Sequence, residues 1–151
     1  MDELSLICAD DGDFAWLLGE GPAPGTLTAV ADIAPPEVLA IVRPLPASWM
    51  IVVGGEVVGL VSLMGEPDAD REVEIGYGVA PSRWGQGLAS RAVAALLPLL
   101  AERELNALRA ATSVDNPASQ LVLERNGFVR AGTRVDDEDG PLILWRRPLE
   151  R

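Results

Sequence analysis

The segment from Glu72 to Ser90 constrains this chain more than any other part of it. It opens as a strand in which Val73, Ile75, Tyr77 and Val79 fall on one face and Glu72, Glu74, Gly76 and Gly78 on the other, because successive side chains of a strand point to opposite faces. Two glycines weaken a strand and mark a bulge or the close approach of a backbone or a ligand. A carboxylate beside two positions without side chains reads as a floor for a small extended ligand. The chain then passes through Arg83 and Trp84 into Gly85-Gln86-Gly87-Leu88-Ala89, which opens an apolar helix. Small residues there let backbone N–H groups approach an anion, and the helix dipole adds positive potential. Phosphate or pyrophosphate is the natural guest, although tight helix–strand packing would use the same residues. A dinucleotide fingerprint would want a third glycine where Ser90 stands, and a P-loop would want a Gly-Lys-Ser/Thr ending that is absent.

The rest of the chain supplies a frame for that segment. Leu4–Ala9 reads as a first strand and Asp10–Glu20 as a short helix with Phe14, Trp16, Leu17 and Leu18 on its apolar side. Pro35-Pro36 opens a second short helix through Leu39 and Val42. Trp49–Val53, the Gly54-Gly55 turn and Val57–Leu63 form the clearest hairpin. After the strand Glu72–Val79, the long helix should end or kink at Pro98, which has no N–H to donate. A strand at Ala107–Ser113, a helix from Pro117 to about Asn126 and two strands at Gly127–Val135 and Leu142–Arg147 complete the order. This predicts an α/β (α+β) fold with one sheet and helices on its faces. With 151 residues and no linker, a single domain covering 1–151 is expected.

Composition removes several chemistries. The absence of histidine excludes Ser-His-Asp and Cys-His mechanisms and a histidine-ligated zinc site, and the single cysteine, Cys8, excludes a thiolate cage. No metal is therefore expected. Twelve basic against twenty-three acidic residues give a net charge of −11, which argues against a nucleic-acid partner and favours a cationic one. No basic segment precedes an apolar stretch after Met1-Asp2-Glu3, and the apolar run Ala92–Ala101 is too short to span a bilayer. A cytoplasmic protein without a membrane partner is the expectation.

The helix start Asn116-Pro117-Ala118-Ser119 and the run Leu123-Glu124-Arg125-Asn126-Gly127-Phe128 extend the pattern. Asn116 is a good N-cap and Pro117 a good first helical residue on structural grounds alone. Together with Glu74-Ile75-Gly76-Tyr77 and Trp84-Gly85-Gln86-Gly87-Leu88-Ala89, in this order, they resemble the GNAT superfamily of N-acetyltransferases. The likeness runs from about Val52 to Trp145 and is nearest to the branch of ribosomal-protein-alanine and spermidine acetyltransferases.

The resemblance implies a mixed, mostly antiparallel sheet splayed at the fourth and fifth strands, Glu72–Val79 and Ala107–Ser113, with helices on both faces. It implies transfer of an acetyl group from acetyl-CoA to a primary amine, a small molecule or a protein N-terminus, by direct attack in a ternary complex. The pyrophosphate would sit on the backbone from Gly85 through Gln86, Gly87, Leu88 and Ala89 to Ser90, with Trp84 beside it. The pantetheine would lie along Tyr77, Gly78 and Val79, the Val79 amide holding the oxyanion. Asn116 and Ser119 would contact the cofactor arm or lie near its sulfur. Glu74 matches the general base of one branch, with Glu72 as a substitute on the same face. A carboxylate is suited to this because a lysine-like amine, of pKa about 10.4, must lose a proton before attack.

Two departures stand out. Trp84 replaces the glutamine or arginine that often opens the glycine motif. Leu123 occupies the place of the tyrosine that many members use as general acid, leaving Ser119 or water to protonate the thiolate; Tyr77 is a more remote candidate. A catalytically silent acyl-CoA-binding module and a nucleotide binder with a generic glycine loop are the rival readings. The four tryptophans are expected to pack, Cys8 to be a small buried hydrophobe, and the segment Gly19–Pro46 to wall the acceptor side. The acidic run Asp136–Asp139 reads as a solvated turn or an attractor of cationic acceptors, and the fold is compatible with a homodimer.

Overall fold

The computed structural model describes residues 3–149. Met1 and Asp2, the start of the stretch without a basic segment, lie outside them. Eight strands and four helices follow one another as β1 (Leu4–Cys8), α1 (Asp11–Leu17), β2 (Thr28–Ala29), α2 (Pro36–Val42), β3 (Ala47–Val53), β4 (Glu56–Leu63), β5 (Glu72–Val79), α3 (Leu88–Leu99), β6 (Ala107–Ser113), α4 (Pro117–Arg125), β7 (Val129–Asp136) and β8 (Gly140–Pro148). The strands form one mixed sheet in the order β1-β3-β4-β5-β6-β8-β7, with the two-residue β2 beside β4. All pairings are antiparallel except β2–β4 and β5–β6. The expected fourth and fifth strands are therefore β5 and β6, since β2 was too short to leave a period in the sequence.

Local chemistry sets the element ends. Asp10 caps α1 through a reciprocal pair of bonds, its carboxylate accepting the Asp13 N–H and that of Asp13 accepting the Asp10 N–H, which satisfies two otherwise orphan donors. Pro98 stands one residue before the end of α3, where a missing N–H and the ring's bulk bring the helix to a close. Asp136 makes the last hairpin's turn, its Oδ1 accepting the N–H groups of Glu138 and Asp139. One member of the acidic run is thus a turn-former.

Two core clusters flank the sheet. Trp49, Val61, Val73 and Ile75 pack with Val93 and Leu96 of α3 and Leu123 of α4. Met50, Leu60 and Val52 pack with Phe14 of α1 and Leu39 of α2, and this second cluster reaches Leu88 and Ala92. Helices thus cover both faces. Trp145 is almost wholly buried and its indole N–H donates to Thr112 Oγ1 at 2.9 Å.

Two packing expectations are overturned. Cys8 is exposed, because it ends an edge strand that has a neighbour on one side only. Trp84 is 69% exposed, because its ring lies over the end of β5 instead of entering the core, its Nε1 donating to the Val79 carbonyl at 2.7 Å.

Candidate active site

Strand β5 is the axis of the site. Its pairing with β4 runs without a shift from Ile75 opposite Leu63 to Val79 opposite Gly59, so the glycines of β5 mark no bulge against β4. Val73, Ile75 and Tyr77 belong to the α3–α4 side. Gly76 and Gly78 lie on the other face, beside Leu60 and Ser62 of β4 and Met64 just past its end.

The ladder also fixes where the backbone points. The Ala80 N–H donates to Val58 O and the Met64 N–H donates to Glu74 O, both at 2.8 Å. Narrow pairs alternate in an antiparallel ladder, so the even-numbered residues of β5 are bonded to β4. The N–H and C=O groups of Ile75, Tyr77 and Val79 consequently face β6. Strand β6 meets β5 only over Glu72–Glu74, opposite Ala107–Arg109. Beyond Glu74 the two strands part, and the backbone of Tyr77 and the N–H of Val79 open onto the gap.

The gap leads to the glycine loop. Gly85 and Gly87 have φ of 81° and 71°, a left-handed geometry that glycine adopts without steric cost. Gly87 is the N-cap of α3 and supplies no side-chain cap, so the amides of the first turn are left to another acceptor. Two anchors fix the approach to this loop. Asp32 accepts the Ser82 N–H at 2.8 Å and its hydroxyl at 2.7 Å, and Arg83 pairs with Glu56. The Ser82 hydroxyl, followed by its backbone N–H, holds the Asp32 carboxyl below its ordinary value.

Across the gap, the Tyr77 hydroxyl donates to the Ser119 carbonyl at 3.1 Å and lies 2.8 Å from Ser119 Oγ. Burial raises the Tyr77 pKa above its ordinary 10.0, against the opposing effect of the Ser119 hydroxyl. Asn116 caps α4, its Oδ1 accepting the Ser119 N–H at 3.1 Å. Leu123 has no exposed surface and sits in the core; no hydroxyl reaches the gap from that position.

A residue quoted only as a motif marker proves to hold the two helices together. Asn126 Nδ2 donates to the Ser90 carbonyl and the Val122 carbonyl, at 3.1 and 2.9 Å, and lies 3.3 Å from Ser90 Oγ. Its place directly before Gly127, at the end of a helix, was the available signal.

The carboxylates of β5 separate. Glu72 is gripped by Arg146, whose Nε and Nη2 donate to it at 3.2 and 3.0 Å, with Arg109 Nε at 3.9 Å. Glu74, on the same face, is half-buried and lies opposite Arg109 in the parallel register. On that face a cavity of about 430 Å³ lies between α2 and the ends of β4 and β5, with Ile33–Pro35 and Trp84 at its sides.

Residues 25–129 match the family profile described as Acetyltransferase (GNAT) domain. The ribosomal-protein-serine acetyltransferase of Escherichia coli (strain K12) is 36% identical over 85 residues, 56% of this chain and 48% of that protein. The chain spans about half the length of the curated relatives it matches. Among solved structures, a chimera of spermidine N-acetyltransferase SpeG from Vibrio cholerae and hSSAT superposes with a TM-score of 0.71 at 18% identity, covering 96% of this chain and 95% of that one. RimL, a ribosomal L7/L12 alpha-N-protein acetyltransferase in complex with coenzyme A, superposes with a TM-score of 0.69 at 22% identity, covering 97% and 94%. These likenesses show the fold.

Proposed function

The chain belongs to the GNAT acetyltransferase family, and from that premise we propose that it acts as one N-acetyltransferase domain, moving an acetyl group from acetyl-CoA to a primary amine. The observation that carries this reading is the unladdered end of β5, which leads directly into an uncapped helix start. A pantetheine amide finds backbone partners at Tyr77 and Val79, with Gly78 between them. A pyrophosphate finds the free amides from Gly85 to Ser90, where the helix dipole favours negative charge. The solved RimL complex holds coenzyme A, which supports the same donor here.

The chemistry follows in one balanced step sequence. The free amine attacks the thioester carbonyl, forming a C–N bond. The Val79 N–H, already free of the ladder, is placed to bond the oxyanion. The C–S bond breaks, and CoA leaves as a thiolate that takes a proton from Ser119. Tyr77 lies 2.8 Å from Ser119 Oγ, so it can resupply that proton in the same movement and is itself reprotonated from solvent, its raised pKa favouring the neutral phenol. Glu74 receives the proton lost by the amine. Five residues of extended strand span about 16 Å, so this transfer from near Val79 passes through water.

The buried Leu123 favours a second reading, a silent acyl-CoA-binding module. Calorimetric titration with acetyl-CoA, CoA and ADP, followed by thiol-release assays on a panel of amines, separates the two. Micromolar binding that needs the pantetheine arm, with amine-dependent thiol release, is expected. Binding without release from any amine means the silent module, and equal binding of ADP means a nucleotide binder.

A further inference from the structure

The cavity beside Gly76 and Gly78 carries information about the acceptor that the net charge conceals. None of the residues lining it is charged. Its walls are aliphatic and aromatic: Val38 and Ile41 of α2 on one side, Leu60 of β4 and Met64 just past its end on another, and Trp84 at the mouth. The polar side chains there already have internal partners. Ser62 Oγ is 2.8 Å from Ser48 Oγ, Tyr77 is bonded to Ser119, and the Trp84 indole N–H is held by the Val79 carbonyl. Its volume, about 430 Å³, lies in the range of small-molecule sites.

The rim points the same way. Val38, Ile41, Met64 and Trp84 are all large apolar residues left exposed, and all of them border this one cavity. Clustered exposed apolar surface marks a binding site more often than scattered residues do. Glu74 is the next residue from Gly76 on the same face of β5, and the Met64 side chain lies over Gly76, where a Cβ would stand only 2.6 Å from its Sδ. The chamber's own lining holds no carboxylate to pair an ammonium group. A second ammonium, further along a polyamine, would lie among aliphatic groups without compensation.

The geometry points to an acceptor that is a primary amine on an uncharged apolar skeleton, an arylalkylamine or alkylamine, seated between α2 and the Gly76–Gly78 face of β4–β5. This rests on the reading of the chain as an amine acetyltransferase. The amine nitrogen forms the new bond to the acetyl carbonyl carbon as the C–S bond breaks. Its surplus proton leaves towards Glu74, and the products are the neutral N-acetylamide and CoA. The apolar skeleton packs against the aliphatic walls and aims the amine at the end of β5.

The test uses the full chain, with acetyl-CoA affinity measured by calorimetry and initial rates of thiol release measured with phenethylamine, hexylamine, spermidine and a short serine-initiated peptide. Expected is a kcat/KM for phenethylamine or hexylamine at least about tenfold above those for spermidine and the peptide. Ile41→Asp places a carboxylate on a residue that is 64% exposed, so the fold should tolerate it. It should raise the KM for phenethylamine about tenfold or more and lower that for spermidine, with acetyl-CoA affinity unchanged. Preference for spermidine or the peptide, or an Ile41→Asp KM equal to the parent's, overturns the inference while leaving the acetyltransferase reading intact. Tight acetyl-CoA binding with no amine turned over also overturns it. Failure to bind acetyl-CoA overturns the reading on which it rests.

Discussion

The two ends of β5 are built for opposite purposes. At its start, Glu72–Glu74 is bonded on both sides, to β6 in parallel register and to the β4 side through Met64, and the Glu72 carboxylate is gripped by Arg146. At its finish, the backbone of Tyr77 and the N–H of Val79 open onto a gap, and a Cβ at Gly78 would meet no other atom within 4 Å. A sheet that satisfies its own hydrogen bonds offers a ligand little. Under the proposed function, reactivity collects where the ladder stops.

Val79→Pro tests this contrast most severely. It removes an N–H that the β4 ladder does not use, so circular dichroism should report a retained fold. Loss of one oxyanion donor should lower kcat by about 10² to 10³; an unchanged kcat would mean the gap-facing amide has no part in the reaction. Glu74→Gln should lower turnover by about 10² near neutral pH. That deficit should shrink as the pH approaches the amine's own pKa, where free amine no longer needs a base. A wild-type pH–rate profile would reduce Glu74 to a structural carboxylate.

Gly87→Val places a branched side chain at a φ of 71° and obstructs the uncapped amides. Acetyl-CoA affinity should fall about tenfold or more while the sheet stays folded; unaltered affinity would put the pyrophosphate elsewhere. Tyr77→Phe separates proton supply from packing. The lost hydroxyl should cost about 1 kcal/mol of stability, together with a fall in kcat that leaves acetyl-CoA affinity alone. The raised Tyr77 pKa stabilises the fold fully below about pH 10, and that contribution is lost as the pH climbs through the raised value. The Phe variant should lack this alkaline limb of the stability profile. Glu72→Gln, at the closed end, should change least: a Tm lowered by no more than about 3 °C, since the Arg146 partner is solvated, and an unchanged kcat.

Much of this frame was legible in the chain. The limits of β5 and β6 agree with the sequence reading residue for residue, because period-2 alternation bounded by breakers is a strong local signal. The face assignment on β5 holds for Val73, Ile75 and Tyr77, while Val79 packs with the other cluster. What stayed hidden depends on partners distant in sequence. Nothing near Glu72 announces Arg146, so from the sequence it stood as a substitute for Glu74. The exposure of Trp84 was equally hidden, since a tryptophan is read as core unless its indole finds a carbonyl outside it. The acidity of the chain invited a cationic partner, yet the cavity beside β5 has no charged lining, because the acidic side chains cluster elsewhere. Net charge is a property of the surface as a whole and says little about one chamber.

The position of Trp84 has an optical consequence. Trp49 and Trp145 are buried, Trp16 is half-buried, and only Trp84 stands in solvent at the mouth of the cavity. Its emission should therefore be the reddest of the four and the most readily quenched by iodide. A ligand closing over the cavity would shift that emission to the blue and shield it from the quencher, while the buried indoles kept their signal. The molecule thus carries its own reporter of occupancy at the place where occupancy matters, and needs no label to be read.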